Sequence, residues 1–140
     1  MMLASCGGDK KTEHKDTRIQ GEWHLTLWNA AAPTEFDAYV AFAADNTFDI
    51  YQRIEQVGYQ HFQGTYLLDG TRLSGQYSDR TPWGSTYEVS FDAEGNIMTM
   101  TSEASVGEIS VYKRTEIPQS VKEDKWAALK LAAAAIFRLL

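Results

Sequence analysis

The feature that most constrains this chain is a two-residue alternation of apolar and polar side chains, repeated segment after segment from Ile19 to Arg114. A strand turns successive side chains to opposite faces, so this period marks strands buried on one side and wetted on the other. Trp23, Leu25 and Leu27 alternate with Glu22, His24 and Thr26. Val40 and Phe42 share a face, as do Phe48, Ile50 and Ile54. Phe62, Gly64 and Tyr66 align next, then Leu73, Gly75 and Tyr77, then Tyr87, Val89 and Phe91. Met98 with Met100, and Ile109 with Val111, complete eight candidate strands.

The connections carry a second rhythm. Short turns rich in Asp, Asn and Gly (DNT, DGT, DAEGN) tend to alternate with longer links (NAAAPTEFD, EQVG, SDRTPWGS, EASVG). In an up-and-down barrel alternate connections lie at the same end. The pattern therefore predicts an eight-stranded antiparallel up-and-down β-barrel, all-β, with one end closed by tight turns and the other ringed by loops. A barrel of eight strands is either filled by side chains or holds one small ligand, and closure removes exposed sheet edges.

Charge narrows the partners. The net charge is −6, and residues 19–118 carry 5 Lys/Arg against 14 Asp/Glu, or −9. An acidic segment repels phosphate backbones, which argues against nucleic-acid binding. The single cysteine, Cys6, excludes a disulfide scaffold and a cysteine-rich zinc site. Three histidines lack metal-ligand spacing: His14 lies near the N-terminus, and His24 and His61 fall on outward faces. No hydrolase elbow, zinc-protease or phosphate-loop motif is present, and the carboxylates sit in turns or on outward faces. No enzyme, cofactor or metal is expected. Carboxylate pairs need no sequence signature, so a hydrolase or isomerase stays open as the minor alternative.

Leu3-Ala4-Ser5-Cys6 resembles the lipobox of bacterial lipoproteins, in which a peptidase cuts before the cysteine and the cysteine is acylated. The polar stretch after Gly7-Gly8 reads as a tether. Only Met1 to Ser5 precede the cysteine, so this reading requires a start upstream; the other reading is a stray cysteine in a tail. Gly21-Glu22-Trp23 resembles the G-x-W motif of the lipocalins, and YVAFAADNTFDIY, FQGTYLLDGTRLSGQY and VYKR resemble strands of bacterial lipocalin-like domains. The resemblance spans residues 20–115. It implies that Trp23 packs at the closed end with Arg114 across it, a structural pair, and it implies a bound small apolar or amphipathic molecule.

Parity assigns Phe42, Ile50, Phe62, Tyr66, Tyr77, Tyr87, Phe91, Met98 and Met100 to the interior, as cavity candidates. A filled core and an aromatic- and methionine-lined cavity both fit that set. The inward glycines Gly64 and Gly75 favour a cavity because they remove volume; they also suit bends. Trp28, Phe36 and Trp83, with Tyr59, are placed at the loop end, where Trp83 either contacts a partner or folds down as a plug.

Residues 119–140 read as a helix, with Ser120 and Glu123 as a capping box and Trp126, Leu129, Ala133, Ile136 and Leu140 on one face. Three placements stay open: on the barrel wall, on a membrane surface, or outside the native domain, since KLAAA resembles polylinker sequence. The expectation is therefore a tether with lipidation site over residues 1–18, a lipocalin-like barrel over 19–118, and the helix or tail. Its expected function is non-covalent binding of a small molecule at the cell envelope, as an outer membrane lipoprotein of a Gram-negative bacterium. The rival is a filled barrel that binds an envelope protein or glycan, inhibitor-like, through its loops.

Overall fold

The computed structural model describes residues 17–33, 36–54, 58–105, 107–123 and 140. Cys6, His14, the tether and the helical face from Trp126 to Ile136 lie outside them.

A short 3-10 helix, Thr17–Ile19, leads into eight strands: β1 Gly21–Trp28, β2 Phe36–Phe42, β3 Thr47–Ile54, β4 Gln60–Asp69, β5 Arg72–Tyr77, β6 Tyr87–Phe91, β7 Ile97–Ser102 and β8 Ile109–Arg114. A single turn of helix, α1 Gln119–Lys122, follows. Each strand pairs antiparallel with the next, and β8 pairs back onto β1, so the sheet closes on itself. The strand order puts connections 43–46, 70–71 and 92–96 at one end with Arg114. The described parts of the other connections, residues 29–33, 58–59, 78–86, 103–105 and 107–108, belong to the opposite end. The expected barrel, with its tight-turn floor and its loop end, is what the chain forms.

The floor is sealed by chemistry of its own. Trp23 is fully buried and its indole N–H donates to the Ile19 carbonyl at 2.9 Å. The Arg114 guanidinium lies 4.2 Å above the Trp23 ring and donates to the carbonyl oxygens of Gln20, Arg18 and Gly95 at 2.6–3.1 Å. Gly21 makes that approach possible: its φ is +128°, and a Cβ there would run into the guanidinium.

Two local departures redirect side chains. A bulge between Leu25 and Leu27 breaks the β1 register against β8. An extra residue reverses parity, so Leu27 is 36% exposed instead of inward, while Trp28 turns toward the core. In β8 the inward face carries Ser110 and Tyr112, and Ile109 is exposed, so the apolar pair Ile109 and Val111 is not the buried one. Arg114 over the floor already requires this parity, since 110, 112 and 114 share a face.

Beyond β8 the chain runs back along the outer wall. Ile117 and Val121 pack on Tyr51, flanked by Tyr39, Ala41 and Tyr59. Glu22 holds this segment through the Ile117 amide at 2.7 Å and the Lys122 ammonium at 3.0 Å.

Candidate functional site: the loop end of the barrel

The interior is graded along its axis. Toward the floor it is apolar, with Trp23, Leu25, Val40, Phe42, Phe48, Leu73, Val89, Met98 and Met100 all at most 2% exposed. Toward the loops the inward positions carry polar groups: Gln52, Gln60, Tyr77, Tyr87, Ser102 and Ser110, every one buried. Parity explains the two glutamines. Gln52 lies two residues beyond Ile50 on β3, and Gln60 two before Phe62 on β4, so each extends an inward row.

Trp83 belongs to this end but not to its surface. The 78–86 connection folds back along β5, with Pro82 bridging to Gln76 and the Trp83 amide donating to the Gly75 carbonyl at 3.0 Å. The indole is 6% exposed and packs edge-on against Phe48 at 5.2 Å and Tyr87 at 6.1 Å. Its ring fills the space that Gly75 leaves, since a Cβ there would lie 2.5 Å from it. At Gly64 a Cβ would strike the main chain of β5 at Gln76 and Tyr77. Neither glycine leaves a void where it stands, which corrects the expectation that they open the interior. Both serve close approach.

Leu140 also sits here. It is 5% exposed within the barrel's core cluster. Its main-chain oxygen accepts from the Tyr77 hydroxyl at 3.0 Å and from the Gly84 amide at 3.3 Å.

Among the described residues, two buried side-chain atoms have no hydrogen-bond partner: Gln60 Oε1 and Trp83 Nε1. One is an acceptor and one a donor, and each such group costs about 1–3 kcal/mol when left unpaired. The phenols nearby stay neutral. Burial, then the negative charge of Glu108, raises the Tyr87 pKa; burial, then Tyr87, raises that of Tyr112.

The structure distributes the other site candidates as follows. Phe42, Ile50, Phe62, Tyr66, Tyr77, Tyr87, Met98 and Met100 are buried in one cluster. Phe91 is only half-buried, 6.1 Å from Trp23 with Arg18 above it, and belongs to the floor. Trp28 and Phe36 meet edge to face at 5.6 Å near the rim. Tyr59 lies on the outer wall beneath Arg53 rather than at the mouth. The inward row of β8, with Tyr112 fully buried, was missed; only its parity with Arg114 signals it.

Two histidine–aspartate pairs occupy the outer wall. His24 Nε2 is 2.7 Å from Asp37 Oδ1, Tyr59 donates to Asp37 Oδ2, and the His24 ring stacks on Tyr39 at 4.3 Å. His61 Nε2 is 2.7 Å from Asp49 Oδ1 and stacks on Tyr51 at 4.4 Å. Burial, then its bond to Asp37, pushes the Tyr59 pKa up to about 12. A groove of about 470 Å³ with a mixed lining opens beside the second pair, among Phe48, Asp49, Gln63, Gln76, Tyr77 and Arg80. Among the described residues no group of three or more His, Cys, Asp or Glu could hold a metal.

Comparison with known proteins places the fold. No family model and no curated protein matches the chain. Among solved structures it is similar to an uncharacterized protein from Bacteroides eggerthii, with a TM-score of 0.52 and 15% identity over 69% of this chain and 99% of that one. It is also similar to a protein from Bacteroides uniformis, with a TM-score of 0.52 and 16% identity over 71% and 91%. A lipoprotein, YedD of Klebsiella pneumoniae, aligns with a TM-score of 0.49 and 13% identity over 84% and 88%. At 15–16% identity the first two likenesses bear on the fold alone.

Proposed function

We propose that the chain is a lipocalin-like binding protein whose loop end takes up a small apolar or amphipathic molecule without covalent chemistry. The observation that carries this reading is that two buried side-chain atoms among the described residues, the acceptor Gln60 Oε1 and the donor Trp83 Nε1, lack a partner. An amphipathic guest matches the gradient along the axis, with its polar head at the loop end and its tail toward the apolar floor. In this reading the chain is not an enzyme, because the histidine–aspartate pairs lie on the outer wall, away from the inward-facing side chains. Native mass spectrometry of the full chain, purified without detergent, tests it. Added mass that departs on denaturation supports it. A clean mass, with no uptake from a fatty-acid and lipid mixture, counts against it.

The reading extends to the location. Leu3-Ala4-Ser5-Cys6 is its lipid-attachment site, holding the domain at the cell envelope as an outer membrane lipoprotein. Two or more acyl chains make such attachment stable. In-frame codons upstream of Met1 should spell a basic and then an apolar stretch; a stop codon there excludes it.

One observation favours a second reading. Trp83 fills the space at Gly75. A barrel filled in this way serves as a rigid support for its loops, which would then bind an envelope protein or glycan. The same mass-spectrometry result separates the two.

A further inference from the structure

Leu140 is buried at the barrel's loop end, 5% exposed. Its aliphatic side chain joins the core cluster, while its main-chain oxygen takes two donors, the Tyr77 hydroxyl and the Gly84 amide. An aliphatic group with an acceptor oxygen at its head is a small amphipathic ligand in miniature. The two donors come from different elements, β5 and the 78–86 connection that also delivers Trp83. Leu140 thereby links that connection to the barrel wall.

We infer that Leu140 occupies the head-group position of the binding site and competes with the ligand for it. The inference rests on the binding reading above and deepens it in two ways. First, it names the head group. Tyr77 and Gly84 both donate, so the preferred ligand presents an acceptor oxygen, a carbonyl or carboxylate, on an aliphatic chain. Second, it makes affinity depend on a side chain of the protein itself, that of Leu140. A site open for only a fraction of the time binds with its affinity reduced by that fraction. If Leu140 is seated about nine-tenths of the time, its removal tightens binding about tenfold.

The test compares the full chain with a full-chain Leu140→Asp variant, whose charged side chain is costly to bury in the core cluster. The probe is 11-(dansylamino)undecanoic acid, a carboxylate on an aliphatic chain, followed by dansyl fluorescence. Circular dichroism confirms that the variant is folded. About tenfold tighter binding by Leu140→Asp is expected. Equal affinity overturns the competition and leaves the binding reading standing. No binding by either protein overturns both. Should the variant fail to fold, methyl NMR of the unaltered chain decides. At saturating probe the Leu140 methyls should move to free-chain positions and the Gly84 amide should lose its present environment. Leu140 resonances unchanged at saturation overturn the inference, and so does an absence of probe binding.

Discussion

Replacing Arg114 measures how much of the barrel's stability is held at its floor. The guanidinium makes a ring contact with Trp23 at 4.2 Å and bonds to the carbonyls of Gln20, Arg18 and Gly95. The ring contact is half-shielded and contributes about 1 kcal/mol. Each carbonyl can regain water at this half-buried site, so losing its donor costs about 1 kcal/mol rather than the full desolvation penalty. Arg114→Ala should therefore destabilise the domain by about 4 kcal/mol, or about 15 °C in Tm for a chain of this size. Arg114→Lys keeps a cation near the ring, but one ammonium cannot span three carbonyls, so it should recover only about 1–2 kcal/mol. Urea unfolding followed by far-UV circular dichroism reads both values. An alanine variant within about 1 kcal/mol of the parent refutes the reasoning. So does a lysine variant equal to the parent, which would reduce the site to a point charge.

Gly75→Ala puts a methyl 2.5 Å from the Trp83 ring and 2.7 Å from the Thr65 carbonyl oxygen. It should cost about 1–3 kcal/mol and red-shift the Trp83 emission, a change absent in a Trp83→Phe background. Glu22→Gln weakens the hold on the segment after β8. Exchange of the Ile117 amide should quicken while the β-strand amides keep their protection; uniform exchange across the chain would show that Glu22 supports the barrel itself. Alkaline titration should show cooperative loss of the fold. Burial holds Tyr59 at about 12 and also raises Tyr87 and Tyr112 from the ordinary 10.0, so these phenols keep their protons in the folded state. Their contribution is constant below pH 10 and falls as pH rises from there through the folded values, because the unfolded chain ionises first. Phenolate absorbance reaching full amplitude near pH 10 with the dichroism intact would contradict this.

The strands, their number and the allocation of ends were legible because they rest on local signals. Alternation and Asp/Asn/Gly turns each involve a few neighbouring residues, and DNT, DGT and DAEGN fall where the chain turns at the floor. The Trp23–Arg114 contact came from a resemblance to known barrels, not from alternation. The bulge at Leu25–Leu27 was not legible, because nothing in HLTLW distinguishes a regular strand from one that slips a residue. Trp83 was ambiguous for a different reason. Its burial depends on a vacancy created by Gly75 on the neighbouring strand, a relation between elements. Gln52 and Gln60 had the right parity all along, but a search for apolar rows passes over polar residues facing inward. They mark the half of the barrel where composition departs from a plain core.

The chain reaches β1 through Thr17–Ile19, beside the Arg114 clamp. Anything that grips the residues before Thr17 therefore grips the domain by its base. Immobilised on a chip or fused to a carrier from that side, the barrel stands upright like a cup on its foot. The loop end then points away from the support.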